Sequence, residues 1–106
     1  MLFELRHYYM KPGQEQRWVQ LMDEAIIPFQ ISKGIGVIAS FVGEQDAGLY
    51  VWIRRFASEE ERERLYKEVY ESDYWKTEIA PLVPDLIDRS RTVVTRLTPT
   101  PKSVIR

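Results

Sequence analysis

An α+β fold of the ferredoxin-like βαββαβ kind is predicted by three features of this 106-residue chain. Short runs rich in Val, Ile, Phe, Tyr and Trp stand at 2–9, 35–43, 49–56 and 90–98, with the patterning of strands. Two stretches between them carry apolar residues at helical spacing, one after Pro12-Gly13 and one after Ser58. The resulting order is strand, helix, strand, strand, helix, strand. Such a chain forms a four-stranded antiparallel sheet with both helices on one face. Residues 1–98 make one domain, and 99–106 a C-terminal tail loosened by Pro99 and Pro101.

The first strand ends at Pro12-Gly13. From Gln14 onward Trp18, Leu21, Met22, Ala25, Ile26 and Phe29 trace one side of a helix, with Gln16, Arg17, Gln20, Asp23 and Glu24 on the other. Pro28 should bend this helix, because its ring meets the carbonyl of Glu24. Gly34 is its expected stop. The polar loop Glu44-Gln45-Asp46-Ala47-Gly48 joins the next two strands as a hairpin. Ser58 and Glu61 have capping-box spacing and open the second helix, whose apolar side is Leu65, Tyr66, Val69 and Tyr70. On its outer side Glu60–Arg64, Glu63–Lys67 and Lys67–Glu71 are spaced as i,i+4 ion pairs. Asp73 is placed to cap a further short turn holding Trp75 and Ile79, before Pro81 and Pro84 break the chain.

Composition excludes several functional classes. Net charge is −1, and residues 58–80 hold eight acids, so neither nucleic acid nor an acidic membrane surface is an expected partner. Five basic and no acidic residues at 89–106 read as a solvated chain end. With no cysteine there is no disulfide framework, thiolate metal site or cysteine nucleophile. His7 is the only histidine, and no carboxylate spacing supports it, so no metal is expected. Ser40 lacks a histidine base, and Gly34-Ile35-Gly36 precedes a strand instead of opening a helix, so it is no dinucleotide fingerprint. The first residues go straight into a strand carrying Glu4 and Arg6, so no signal peptide is expected, and no apolar run reaches the roughly 20 residues that span a bilayer. A cytoplasmic protein without cofactor is expected.

Two helices cover one side of a four-stranded sheet, so the other must be wet or meet a partner. Alternation puts Glu4, Arg6 and Tyr8 on one face of the first strand and Phe3, Leu5 and His7 on the other. The apolar positions Phe3, Leu5, Val51 and Ile53 are assigned to the helix side. That leaves Glu4, Arg6, Tyr8, Tyr50, Trp52, Arg54 and Phe56 on the open side, an aromatic patch too large to leave bare on a monomer. A symmetric homodimer enclosing a polar-aromatic cavity is therefore expected, with His7 pointing away from it. Glu4, Arg6, Tyr8, Tyr50, Trp52, Arg54 and Trp75 are the candidate ligand-binding residues. Arg6 or Arg54 could clamp a carboxylate or phosphate, with Glu4 a general base raised by burial. The alternative, and the favoured one, is an interfacial ion-pair network without chemistry. Trp18 is assigned to the core.

The same residues resemble the NIPSNAP family. Phe3-Glu4-Leu5-Arg6-His7-Tyr8 followed by Lys11-Pro12-Gly13 is similar to its opening strand and turn. Val51-Trp52-Ile53-Arg54 resembles its central tryptophan strand, Ser72-Asp73-Tyr74-Trp75 its motif after the second helix, and Pro28 a proline late in its first helix. Tyr74 departs from the pattern, where Pro or Glu is expected, so the short helix could start differently. The resemblance implies a dimeric α/β barrel, a fold that elsewhere serves cofactor-free monooxygenases and lactone isomerases. Three functional readings follow: a small planar or anionic molecule held in the cavity, by a binding protein or an enzyme; a dimerising protein-interaction module; and RNA binding. Net charge and the missing glycine-aromatic signature argue against the last.

Overall fold

The computed structural model describes all 106 residues. Four strands, β1 (Leu2–Tyr9), β2 (Gly36–Val42), β3 (Leu49–Phe56) and β4 (Val93–Leu97), form one sheet in the order β2-β3-β1-β4. Every neighbouring pair is antiparallel. The helices between them complete the ferredoxin-like α+β topology. The long central strands β1 and β3 pair along their whole length, Glu4 opposite Arg54, Arg6 opposite Trp52 and Tyr8 opposite Tyr50. One irregularity lies between Val37 and Ala39 of β2.

The first helical region runs as α1 (Glu15–Leu21), a π-helical turn (Met22–Ile26) and α2 (Ile27–Ser32). Pro28 stands inside this unbroken helical run, and the widened π-turn just before it accommodates the ring and the backbone hydrogen bond that proline cannot make. Gly34 ends the helix at φ +105°, and the Ile35 N–H returns to the Gln30 carbonyl at 3.1 Å. Ser58 caps α3 (Glu59–Tyr70) by accepting from the Glu61 N–H at 3.1 Å. The three expected i,i+4 ion pairs do not close; Arg64 pairs with Glu68 at 3.4 Å instead. A second π-helical turn (Trp75–Ile79) is capped by Ser72, whose hydroxyl accepts from the Trp75 N–H at 3.2 Å, and not by Asp73. The short helix α4 (Val83–Leu86) and a 3₁₀ turn (Arg89–Arg91) lead into β4. No helix is long and apolar enough to cross a membrane.

The alternation along the strands is as expected, but the faces are exchanged. Glu4, Tyr8, Tyr50, Trp52, Arg54 and Phe56 are buried beneath the helices, and Arg6 lies half-buried among them. Leu5, Val51 and Ile53 are only partly buried and lie on the open face with Phe41, Val93 and Leu97. The assignment by apolarity failed because the helices bring polar partners of their own, so a charged strand face can be covered by them. Phe3 also belongs to the open face, yet it is 5 % exposed. The tail beyond Pro99 turns back over it: Ile105 and Phe3 line one groove, and Arg55 Nη2 donates to the Arg106 main-chain oxygen at 2.7 Å.

Candidate functional site

The layer between sheet and helices has two ends of different character. At one, β1 and β3 present Glu4 and Arg54 side by side, and α3 lowers Arg62, Tyr66 and Tyr70 onto them at positions i, i+4 and i+8 of one helical stripe. Neither Glu4 nor Arg54 is exposed. Arg54 Nη2 donates to Glu4 Oε1 at 2.5 Å, and Arg62 Nε donates to Oε2 at 2.6 Å. The Tyr66 hydroxyl donates to the same carboxylate at 2.7 Å and accepts from Arg54 and, at 3.3 Å, from Arg6. The Arg54 guanidinium lies 4.9 Å from the ring centres of both Trp52 and Tyr66.

Charge is therefore held in place at this end. Burial pushes the Glu4 carboxyl up, but Arg54 beside it and the hydrogen bonds from Tyr66, Arg62 and Arg54 outweigh that and bring it to about 2. Burial and the bond to Glu4 push the Tyr66 hydroxyl up to about 12, against the pull of Arg54. Glu4 is thus an anion at neutral pH, and a carboxyl lowered in this way is a weaker base than the raised one expected from sequence. The ion-pair alternative holds in substance, but its partners lie within one chain and under the helices, not at an interface.

At the other end lies a cavity of about 420 Å³, a size common for small-molecule sites. Trp18, Trp52 and Trp75 line it, with Met22, Ile26, Val83 and Ile87 completing the apolar wall. Arg6, Arg89 and Thr92 stand at its accessible side. Arg6 joins the two ends: its Nε donates to the Tyr8 hydroxyl at 2.7 Å, while its nearest approach to Glu4 is 3.6 Å. The indole N–H groups of Trp18 and Trp52 are buried without a partner. An orphaned buried donor costs about 1–3 kcal/mol, and both lie packed in the layer behind the cavity wall, out of reach of solvent.

Of the candidates named from sequence, Arg6, Tyr8, Trp52 and Trp75 line the cavity. Glu4 and Arg54 support it from the charged end and do not face it. Tyr50 packs in the core, its ring stacked 6.3 Å from that of Tyr8, and burial pushes its hydroxyl up to about 12 against the opposing influence of Ser40. His7 lies on the open face opposite Val51 and Val93, away from the cavity. Trp18 is core, as expected, and also cavity wall. Sequence reasoning missed Arg62 and Gln30. The stripe Arg62-Tyr66-Tyr70 carried a signal, a cation in line with two phenols on the buried side of α3. Gln30 carried none. No group of three or more potential ligand side chains is placed to hold a metal ion.

The NIPSNAP family model matches residues 3–102. A NIPSNAP family protein from Agrobacterium tumefaciens strain C58 is 25 % identical and superposes with a TM-score of 0.88, over 99 % of this chain and 98 % of that one. A NIPSNAP family protein with unknown function from the same strain is 22 % identical at TM-score 0.88, over 100 % and 94 %. An antibiotic biosynthesis monooxygenase shares the fold at 18 % identity and TM-score 0.70, over 95 % and 100 %. No curated protein matches the chain.

Proposed function

The chain belongs to the NIPSNAP family, and from that premise we propose that it binds a small planar molecule in the cavity between helices and sheet, as a cytoplasmic homodimer. The observation that carries the binding reading is the cavity itself, about 420 Å³ with an aromatic wall of Trp18, Trp52 and Trp75 and with Arg6 at its accessible side. No carboxylate or imidazole lines the cavity, so the proposal is of binding and not of proton abstraction by a side chain. Homodimerisation is supported by the open sheet face, where Phe41 is 54 %, Val93 51 % and Leu97 44 % exposed beside Leu5, Val51 and Ile53. A second copy laid on this face would cover a patch of the kind monomers seldom leave bare.

All three tryptophans of the chain line the cavity, so their fluorescence reports on its contents. Screening planar aromatic compounds by tryptophan quenching should give saturable hits that Thr92→Trp, which places an indole at the accessible side, weakens about tenfold or more. Hits insensitive to that substitution would place the ligand elsewhere. Light scattering should give the mass of a dimer for the native chain and of a monomer for Phe41→Asp. A native monomer would refute the dimer.

A further inference from the structure

We infer that the molecule this cavity takes is an organic anion, a planar weak acid bound in its ionised form with its charged oxygen on the Arg6 guanidinium. The inference rests on the binding reading above and adds the chemical class of the ligand.

The first ground is a charge count. Among the 14 residues that line the cavity, Arg6 and Arg89 are charged and none is acidic. The nearest carboxylate is already engaged: both oxygens of Glu4 accept from Arg54, Arg62 and Tyr66. Arg62 also reaches Glu59 at 3.3 Å, so it has a second anion, whereas Arg6 has only the 3.6 Å approach to Glu4. Three guanidiniums thus gather around one buried carboxylate, and Arg6 is the one that faces the cavity and is weakly paired. A cation in a half-buried setting without its own counter-ion favours an anion beside it.

The second ground is the direction of the hydrogen bonds. An arginine can only donate. Arg54 Nη1 donates to Gln30 Oε1 at 2.9 Å, which turns Gln30 Nε2 toward the Tyr70 hydroxyl at 3.2 Å. Tyr70 thus accepts from Gln30 and, at 2.8 Å, from Arg54, and it donates to nothing. Tyr8 likewise accepts from Arg6 and donates to nothing. Each phenol is polarised by a guanidinium, which sharpens its own proton as a donor. The wall then offers two uncommitted phenol protons and a cation, and no uncommitted anionic acceptor. A neutral ligand with donors of its own would leave this wall unsatisfied; a carboxylate or phenolate on an aromatic body satisfies it.

The test uses 4-nitrophenol, whose phenolate is visible by absorbance, and 4-nitroanisole, which has the same ring and no ionisable proton. Both nitroaromatics quench tryptophan. An opposite charge within hydrogen-bond reach should lower the ionisation midpoint of bound nitrophenol by about one unit or more, and at pH 8 the phenolate should bind about tenfold or more tighter than the anisole. Arg6→Gln should bring the two affinities within about threefold of each other, and Arg6→Lys should restore most of the preference. Equal affinity of the native protein for both probes would overturn the anion while leaving the cavity a binding site. A preference that survives Arg6→Gln in a folded variant would overturn the role of Arg6. Quenching by neither probe would sink the binding reading itself. The two-probe comparison on the native chain decides the anion whether or not Arg6→Gln folds.

Discussion

The two ends of the layer under the helices use the same side-chain types to opposite purposes. At the Glu4 end an arginine, a tyrosine and a carboxylate close on one another, leaving Arg54 Nε and the Tyr70 proton as the donors without an acceptor. At the Trp52 end an arginine and a tyrosine also touch, but the bond between them leaves the tyrosine proton without an acceptor. What differs is the anion. A buried carboxylate takes up donors from Arg54, Arg62 and Tyr66 and makes the cluster structural; the cavity end has no such acceptor of its own. The ion-pair cluster and the cavity are thereby separated along one sheet face, with Arg6 the only guanidinium that reaches both ends.

Removing the anion should break this contrast most severely. Glu4→Gln leaves Arg54 charged and fully buried, and is expected to lower stability in urea unfolding by about 3–5 kcal/mol. The double change Glu4→Leu with Arg54→Met should recover part of that loss, because no buried charge then lacks its partner. A single substitution with no measurable cost would mean that the cluster is not structural.

Acid should do the same reversibly. The Glu4 carboxyl is held at about 2 against an ordinary 4.5, so its contribution is complete above the unfolded value and is lost as pH falls from there toward 2. The shift corresponds to about 3 kcal/mol, read as the difference in unfolding free energy between pH 5.5 and pH 2 for the native chain relative to Glu4→Gln. Identical pH slopes for the two proteins would contradict it.

A matched pair of tyrosines sharpens the comparison at smaller cost. Tyr66→Phe removes a donor to a buried carboxylate and should destabilise by about 1.5–3 kcal/mol. Tyr8→Phe removes only an acceptor for half-exposed Arg6 and should cost about 1 kcal/mol or less, while weakening nitrophenolate binding. Equal stability costs in thermal melts would erase the proposed difference between the ends.

Most of the fold was readable from residue patterns because each element carries its own punctuation. The Ser58–Glu61 box opens α3, Gly34 closes α2, and the polar loop between β2 and β3 makes the hairpin. Of the site, Arg6, Tyr8, Trp52 and Trp75 were readable, since strand alternation places the first two on one face and their types suit a cavity. Gln30 was not, because its meaning comes from Arg54, 24 positions away, and from a helix turn that only packing brings over β3.

By itself the sequence determined the elements, their order, and that Glu4, Arg6 and Tyr8 share a face, because period and capping are local properties of a chain. Only the tertiary structure decided which face the helices cover. Apolarity pointed to Phe3, Leu5, Val51 and Ile53; the helices instead descend on Glu4, Trp52 and Arg54. The physical reason is that burial is a relation between two surfaces. Arg62, Tyr66, Tyr70 and Gln30 complete the hydrogen bonds of the strand charges, and that complementarity exists only once α2 and α3 are laid across the sheet.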